Sequence, residues 1–370
     1  MNLNKKTKTY NLKHTTMKTK LYAILILAVS LFTACDVEDV KPDENLPVAT
    51  DNILVLSEGT LNHNNSTLAH YNLTEKITDL DYFQTKNGRG LGDLANDMIK
   101  YGNKIYIVLN GSSRVEVINA ATGISLKQIP LFNGEKAKEP RYICSHKGKV
   151  YVSSFDDTVT RIDTTTLAID GSVNVGRDPE QLCVVNEKLY VTNSGGMEWA
   201  TGNYDKTVSV VDLTTFIETE KITVGVNPVK IKADDNGYLY VLCNGNYGTE
   251  PAKFQRIDTK TNTVKTYADI SVSNYTIYDN KMFFYSYDNI VKVFDCTTEK
   301  ITNEKFITDD TTFDLPYIYS MQIDSYNGNV YFTDTNYFSN GNVYCYDKNG
   351  ILKYKILNVG LFSNKILFLE

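Results

Sequence analysis

The chain has 370 residues, of which 44 are acidic and 38 basic, giving a formal net charge of −6 at pH 7. Six of the basic residues are lysines within the first 20 positions, so residues 35–370 carry 32 basic against 44 acidic side chains. A surface this acidic repels nucleic acid, which excludes that class of partner. The five cysteines after residue 35 show no Cys-x-x-Cys spacing, which disfavours a zinc site and a disulfide framework.

The first 34 residues have the layout of a bacterial signal peptide. A lysine-rich start is followed by an apolar run of 14 residues, LYAILILAVSLFTA at 21–34, which is shorter than the ~20 residues that usually span a bilayer. The small residues before Cys35 resemble a lipobox, after which the signal peptide is removed and the cysteine is acylated. We predict a lipoprotein signal peptide at 1–34 and lipidation of Cys35, with ordinary secretion as the alternative.

Residues 35–51 contain acidic residues and prolines but few apolar side chains, which predicts a flexible acidic tether. The tether would connect the lipid anchor to one folded domain at 52–370. We expect the chain to be lipid-anchored in the outer membrane and exposed at the cell surface, with the periplasmic face as the alternative. The lipid anchor is then its only contact with the membrane.

One short pattern recurs seven times in the folded domain. An apolar residue precedes Asp or Asn, and a short turn follows, in most copies rich in threonine. The Asp or Asn side chain accepts hydrogen bonds from backbone N–H groups about two residues later, so each copy predicts a tight turn between strands. The copies lie 37 to 52 residues apart, with their turn residues at Asn72, Asn119, Asp163, Asp212, Asp258, Asp295 and Asp347.

Two alternating strands precede each turn, as in KLYVTN at 188–193 and TVSVVD at 207–212. A further strand opens with a shared Gly and Pro frame, in VGRDPEQLCV at 175–184 and VGVNPVKIKA at 224–233. Four short strands in about 45 residues make one propeller blade, and no stretch shows a sustained helical period. The sequence therefore predicts an all-β fold, a single seven-bladed β-propeller with four-stranded blades.

The two ends of this domain complement each other. The first unit begins at Ile53 without an innermost strand, and the chain ends with VGLFSNKILFLE at 359–370, which repeats the frame of an innermost strand. Pairing of residues 365–369 with the first unit closes the ring and leaves no sheet edge open. We predict that the C-terminal strand completes the first blade.

The long loops of such a propeller fall on one face, because the loop between a blade's second and third strands and the loop that enters the next blade open on the same side. These loops carry aromatic rings with polar tips, amides and guanidinium groups, which suit a large amphipathic ligand or a protein surface. Tyrosines within the second strands, at 106, 151, 190, 240 and 331, are expected to pack in the sheets instead. The candidate ligand-binding residues are His63, Asn64, Arg89, Arg141, Tyr142, Arg177, Trp199, Tyr204, Tyr247, Tyr275, Tyr317, Tyr337 and Phe338.

Catalytic signatures are sparse. Residues 35–370 hold three histidines and contain no His-Glu-x-x-His, Gly-x-Ser-x-Gly or phosphate-loop motif. The acidic run at 234–237 lacks the full ligand spacing of a calcium loop and fits a hairpin turn. We predict a protein that binds a ligand without chemistry, with no catalytic residues, no metal and no cofactor.

Several stretches resemble a known family. KLYVTNSGG at 188–196 resembles the YVTN-type propeller repeat, and residues 57–72, 86–123 and 139–166 resemble one branch of it. That branch consists of surface lipoproteins of Gram-negative bacteria that capture cobalamin beside TonB-dependent transporters. The resemblance implies a corrinoid as the ligand and a TonB-dependent outer-membrane transporter as the partner.

Two other functions are compatible with the sequence. One is a propeller platform at the cell envelope that docks a protein or a glycan. The other is a propeller lyase, which needs a histidine and metal-assisted acid–base chemistry on one face, and His63 is the only histidine in a long loop of that face.

Overall fold

The computed structural model describes residues 50–370. The predicted signal peptide, Cys35 and most of the predicted tether lie outside the described residues. The last two residues of the predicted tether, Thr50 and Asp51, form hydrogen bonds with the folded domain. The Thr50 hydroxyl donates to the Asp324 carboxylate (Oγ1–Oδ2 2.6 Å), and the Asp51 N–H donates to the Leu369 carbonyl at 2.9 Å.

Seven four-stranded antiparallel sheets form the blades of a β-propeller. The innermost strand of every blade contacts the innermost strands of both neighbouring blades, so seven inner strands enclose a central channel. The predicted all-β, seven-bladed architecture with four-stranded blades is confirmed.

The strands of each blade are given from the channel outward. Blade 1 consists of β30 (Ser363–Leu369), β1 (Asn52–Ser57), β2 (Thr67–Asn72) and β3 (Thr78–Asp79). Blade 2 consists of β4 (Ala95–Tyr101), β5 (Lys104–Leu109), β6 (Arg114–Asn119) and β7 (Ser125–Pro130). Blade 3 consists of β10 (Pro140–His146), β11 (Lys149–Ser154), β12 (Thr158–Asp163) and β13 (Ala168–Asn174). Blade 4 consists of β14 (Pro179–Val185), β15 (Lys188–Asn193), β16 (Thr207–Asp212) and β17 (Ile217–Thr223).

The remaining three blades follow the same order. Blade 5 consists of β18 (Pro228–Ala233), β19 (Tyr238–Cys243), β20 (Lys253–Asp258) and β21 (Val264–Thr266). Blade 6 consists of β22 (Asn274–Tyr278), β23 (Lys281–Tyr285), β24 (Lys292–Asp295) and β25 (Lys300–Asn303). Blade 7 consists of β26 (Tyr317–Ile323), β27 (Val330–Thr335), β28 (Gly341–Tyr346) and β29 (Leu352–Gly360).

The C-terminal strand closes the ring as predicted. Strand β30 pairs antiparallel with β1, and Asn52 lies opposite Leu369 while Val55 lies opposite Ile366. Residues more than 300 positions apart in the sequence are thereby joined in one sheet.

The repeated Asp or Asn turn is present in all seven blades. Each of these side chains accepts a hydrogen bond from a backbone N–H two or three residues later, as Asp212 does from Thr214 and Thr215, both at 2.9 Å. The same bonds form at Asn72, Asn119, Asp163, Asp258, Asp295 and Asp347.

Three short elements interrupt the blades, and the sequence pattern predicted none of them. Helix α1 (Tyr82–Asn87) lies in the loop that enters blade 2, where Asp81 caps its N-terminus and Gly88 ends it in a left-handed conformation with φ +65°. A 3-10 helix (Gly196–Glu198) follows β15. Strands β8 (Phe132–Asn133) and β9 (Lys136–Ala137) form a small hairpin before blade 3.

The core lies between the faces of neighbouring blades and is rich in aromatic rings. The five tyrosines predicted to pack in the sheets, Tyr106, Tyr151, Tyr190, Tyr240 and Tyr331, are all buried. Between blades 5 and 6, Tyr240 stacks on Phe254 with ring centroids 5.9 Å apart.

The turn carboxylates predict a pH dependence of stability. N–H groups of the turns lower the pKa of Asp212, Asp295 and Asp347. A carboxyl whose pKa is lower in the folded than in the unfolded state adds stability above its unfolded pKa, and this stability is lost as the pH falls through the folded pKa. We expect the urea concentration at the midpoint of unfolding to decrease as the pH is lowered below about 4, the usual pKa of an Asp side chain.

The triple variant D212N/D295N/D347N distinguishes the effect of protonating these carboxylates from the effect of losing the turn hydrogen bonds. Asn accepts the same hydrogen bonds without titrating, as Asn72 and Asn119 do in blades 1 and 2. The variant should therefore lose less stability than the wild type over the same pH range. An equal loss would show that the turns do not cause the pH dependence.

Ring closure can be tested at Ile366, which is 2% exposed and packs with Val55 and Tyr331. The variant Ile366→Ala should lower the free energy of unfolding by about 2–4 kcal/mol, since it leaves a cavity between blades 1 and 7. Ile217→Ala, in an outer strand where the side chain is 60% exposed, should change it by no more than about 0.5 kcal/mol. Similar losses in both variants, measured by urea denaturation, would contradict a tightly packed closing strand.

Candidate functional site

The long loops lie on one face of the disc, which we call the rim face. Hydrogen bonds link the loop between the second and third strands of a blade to the loop that enters the next blade. In the sector of blades 4 and 5, the Asn244 N–H donates to the Asn227 carbonyl at 2.9 Å, and the Asn227 N–H donates to the Asp205 carbonyl at 2.8 Å. Neighbouring loops therefore hold one another in place.

A cleft of about 410 Å³ opens on the rim face where blades 3, 4 and 5 meet, and we call it the rim cleft. Five candidate residues, Arg141, Tyr142, Trp199, Tyr204 and Tyr247, line it together. The indole of Trp199 is 71% exposed and the Tyr247 ring 74% exposed. The rings of Tyr204 and Tyr247 meet edge to face, with centroids 6.3 Å apart.

The loop that carries Trp199 is braced from below. The Asp178 carboxylate accepts the Met197 N–H at 3.0 Å, and the Ser194 hydroxyl oxygen accepts the Gly196 N–H at 3.0 Å. Gly195 has φ +59°, and a Cβ atom there would lie 2.4 Å from the Asp205 nitrogen, so only glycine fits. The exposed indole thus projects from a fixed turn.

Tyr247 is positioned by amides on its own loop. The Asn244 amide donates to the Tyr247 hydroxyl at 3.2 Å. The Asn246 amide oxygen accepts the N–H groups of Gly248 at 3.0 Å and Glu250 at 2.9 Å, which closes the turn around Tyr247.

A charged pair forms the floor of the rim cleft. The Arg141 guanidinium donates to both carboxylate oxygens of Glu180 (Nε–Oε2 2.9 Å, Nη2–Oε1 3.3 Å) and to the Asn96 amide oxygen at 2.5 Å. It also lies over the Phe155 ring, 4.7 Å from the centroid. Burial raises the pKa of the Glu180 carboxyl, while the charge and hydrogen bonds of Arg141 act in the opposite direction.

Glu58 stands beside this pair at the mouth of the central channel. Asn364 donates to its carboxylate at 2.9 Å, and Tyr319 also hydrogen-bonds to it. Burial nevertheless raises the pKa of Glu58 and favours its neutral form. Burial likewise raises the pKa of Tyr142 and Tyr319, so both phenols stay protonated and can donate hydrogen bonds.

A second aromatic group lies on the rim face at blade 7. The rings of Tyr317 and Tyr337 have centroids 5.6 Å apart, and Tyr337 packs against Phe362 at 6.1 Å. Phe338, in the same loop, is 90% exposed. These three candidate residues, Tyr317, Tyr337 and Phe338, form a separate patch, because none of them lines the rim cleft.

The structure places the other candidate residues apart from the rim cleft lining. His63 and Asn64 lie in an exposed turn of blade 1, where a His63 ring nitrogen contacts the Leu61 carbonyl at 2.9 Å. The Arg177 N–H donates to the Asp205 carboxylate at 3.2 Å, behind the loop of Tyr204.

Two predicted binding residues are structural instead. The Arg89 guanidinium donates to Glu116 at 2.8 Å and to Ser125 at 3.1 Å, and it covers the Phe83 ring, so it fastens the loop of α1 to blade 2. Tyr275 is fully buried between blades 5 and 6, and its hydroxyl donates to the Tyr240 carbonyl at 2.6 Å. Tyr275 therefore belongs to the core and offers no surface to a ligand.

Sequence reasoning missed three polar residues that also line the rim cleft, Glu180, Asn227 and Asn244. A signal for Glu180 was present. Arg141 and Glu180 each follow the proline that begins an inner strand, at Pro140 in blade 3 and Pro179 in blade 4. Opposite charges at matching positions of neighbouring inner strands predict a pair across the blades.

Residues 50–370 show neither a metal-binding cluster nor a membrane-spanning helix. This part of the chain contains no group of three His, Cys, Asp or Glu side chains arranged to hold a metal ion. No helix within it has the length and apolarity needed to cross a membrane. Its five cysteines are free thiols, of which Cys243, Cys296 and Cys345 are buried.

The Arg141–Glu180 pair can be tested by removing one charge. Glu180→Gln should lower the free energy of unfolding by about 3 kcal/mol, because a half-buried guanidinium loses its counter-ion. The matched control is Glu187→Gln, whose carboxylate pairs with Lys147 at 2.8 Å on an exposed surface, and it should cost less than about 1 kcal/mol. Urea denaturation that gives equal losses for the two variants would contradict a structural role for the pair.

No protein-family model and no curated protein matches this chain. Solved structures resemble it in fold. A quinonprotein alcohol dehydrogenase-like protein from Bacteroides thetaiotaomicron shares 16% identity, over 86% of this chain and 78% of its own, with a TM-score of 0.61. The hydrazine synthase of Kuenenia stuttgartiensis shares 14% identity, over 71% and 86%, with a TM-score of 0.56. The computationally designed Ika8 protein shares 13% identity, over 72% and 87%, with a TM-score of 0.50. At these identities, the likeness shows the propeller fold alone.

Proposed function

We propose that this protein is a lipid-anchored envelope protein that captures a corrinoid in the rim cleft, without transforming it, for a TonB-dependent outer-membrane transporter. The observation that carries the proposal is the convergence of Trp199, Tyr204 and Tyr247 on one cleft beside amide and guanidinium groups. A corrinoid has a flat ring system with apolar faces, and amide groups project from its edges. Aromatic faces and amide partners are the groups that such a ligand needs.

The rigidity of the cleft supports capture. Hydrogen bonds brace the loops of Trp199 and Tyr247 before any ligand arrives. A preorganised site avoids part of the entropy that is otherwise lost when side chains are ordered on binding. The predicted lipid at Cys35 would hold this site at the membrane and raise its local concentration next to a transporter.

The propeller fold alone does not distinguish a binding protein from an enzyme. Of the similar solved structures, one is named an enzyme and another is named dehydrogenase-like. Propellers host many unrelated activities, so function has to be argued from the site. The rim cleft offers aromatic and amide surface, and its charged groups, Arg141 and Glu180, are engaged with each other.

A protein-docking platform is the second candidate, and the patch at blade 7 favours it. Phe338 is 90% exposed, and Tyr317 and Tyr337 stand beside it. Exposed aromatic rings of this kind are enriched in protein interfaces. In the capture proposal this patch is the surface that meets the transporter, whereas in the platform proposal it acts without any small ligand.

Fluorescence of Trp199 tests corrinoid capture directly, since it is the only tryptophan in the chain. Corrinoids absorb in the near ultraviolet, so cyanocobalamin bound in the rim cleft should quench the emission in a saturable manner. Tyr247→Ala should weaken the affinity at least tenfold, because it removes an exposed ring that the ligand would cover. Free N-acetyltryptophanamide at the same absorbance corrects for light absorbed by unbound ligand.

The matched control is Tyr287→Ala. Tyr287 is 91% exposed but does not line the rim cleft, so its variant should bind cyanocobalamin like the wild type. Absence of saturable quenching and of calorimetric heat at micromolar ligand would reject corrinoid capture. Retention of a purified transporter under the same conditions would then favour the platform.

A further inference from the structure

The central channel contains a chamber below the rim cleft, and we call it the channel chamber. It has a volume of about 300 Å³. The inner strands of all seven blades line it, together with Leu242 of β19 and a few residues of adjoining loops. Tyr142, Val229 and Asn244 line both the chamber and the rim cleft, so the two spaces are neighbours.

Three lysines face the channel chamber. Lys230 and Lys232 project from β18 of blade 5, and Lys365 projects from β30 of blade 1. Lys365 pairs with the Asp97 carboxylate (Nζ–Oδ1 2.7 Å), and Lys230 donates to the Asn274 amide oxygen at 2.5 Å. Within residues 50–370, the Lys232 ammonium has neither an ion-pair nor a hydrogen-bond partner.

The charges around the chamber do not balance. Two pairs, Arg141 with Glu180 and Lys365 with Asp97, neutralise each other. Lys230 and Lys232 remain, and they face the single carboxyl of Glu58, so two basic groups stand against one acidic group. With its lysines protonated, the chamber therefore carries a net positive charge in a protein whose residues 35–370 are strongly acidic overall.

This excess charge affects the lysines themselves. Burial and the charge of Lys365 lower the pKa of Lys232 to about 8. Burial and the charges of Lys232 and Lys365 lower the pKa of Lys230 well below its usual value. An uncompensated ammonium in a confined space is costly, and an anion beside it relieves that cost.

Neutral hydrogen-bond donors complete the lining. The Gln181 side-chain oxygen accepts the Ile231 N–H at 3.1 Å, which leaves the amide NH₂ of Gln181 available to the chamber. Tyr142 and Thr276, which both carry a hydroxyl group, line the same space. Ammonium groups and neutral N–H and O–H donors together form the kind of site that binds an oxyanion.

We propose that the channel chamber is a binding site for a small doubly charged oxyanion of the phosphate or sulfate class, held mainly by Lys230 and Lys232. The site is distinct from the rim cleft and does not depend on corrinoid capture. Its occupancy neutralises the two lysines and stabilises the closed ring, because the anion bridges groups on several inner strands.

Isothermal titration of the purified protein with inorganic phosphate at pH 7 and constant ionic strength tests the site. We expect saturable binding together with a rise in the unfolding temperature that potassium chloride of equal ionic strength does not produce. Lys232→Met should weaken phosphate binding at least tenfold, while Lys127→Met, in the exposed outer strand β7, should bind like the wild type.

The stability of Lys232→Met without phosphate shows whether misfolding causes its weaker phosphate binding. Removing an uncompensated ammonium should leave this variant at least as stable as the wild type without phosphate. Binding should also weaken as the pH rises from about 7 to about 9.5, measured with sulfate because its charge is constant over that range, since Lys232 loses its proton there.

Either of two results would overturn the proposal. One is the absence of saturable phosphate binding by the folded wild type. The other is binding that is equal in Lys232→Met and in the wild type, which would place the anion elsewhere on the protein. Neither result bears on Trp199 quenching by cyanocobalamin, so failure of this proposal and failure of corrinoid capture remain distinguishable.

Discussion

The pairing of β30 with β1 is the constraint on which the rest of this molecule depends. It joins the two ends of the folded chain in one sheet, with Asn52 opposite Leu369. Without it, blade 1 lacks its inner strand, and blades 7 and 2 lose the neighbour that both of them contact. The channel chamber would open as well, because Asn364 and Lys365 of β30 form part of its wall. Closure therefore sets both the ring and the geometry of the sites within it.

Much of the fold was predictable because its signals are local. The Asp or Asn turn depends on a side chain and a backbone N–H two or three residues away, as at Asp212 and Thr214. Strand alternation is equally local, and it correctly placed Tyr106 and Tyr240 in the sheets. Closure is a long-range contact, but it was predictable from counting, since one strand was missing at the start and one was left over at the end.

The candidate site was less predictable because it depends on which side of an inner strand each residue faces. Alternation shows that successive residues point to opposite sides, but it does not show which of them face the channel. The register shifts next to Pro140, Pro179 and Pro228 change this assignment just where the strands meet the rim face. Lys230 and Lys232 follow such a shift and were overlooked. Tyr275 lies on the regularly paired strand β22 and was assigned to the surface although it is buried.

Pairs between blades were hidden for a related reason. Arg141 and Glu180 lie 39 residues apart in the sequence, and their contact follows only from the way adjacent inner strands align in the ring. Arg89 was misread in the same manner, because Glu116 and Ser125, which it bonds, lie on the outer strands of blade 2. The residue type and its position in a loop indicate what a side chain is able to bind. Whether that side chain is already paired with another residue of the protein depends on how the strands pack.

An anion that approaches this protein meets an acidic exterior first and a cationic channel chamber afterwards. Residues 35–370 carry 12 more acidic than basic side chains, so the field around the protein opposes the approach of an anion over a distance of about 8 Å at physiological ionic strength. Inside the chamber the sign reverses, because Lys230 and Lys232 outweigh Glu58. Added salt screens the long-range repulsion more strongly than the short-range attraction within the enclosed space. The rate of anion entry should therefore increase with added salt, whereas it would decrease for a site on a basic surface. This behaviour follows from the ring, which encloses Lys230 and Lys232 and keeps most of its carboxylates outside.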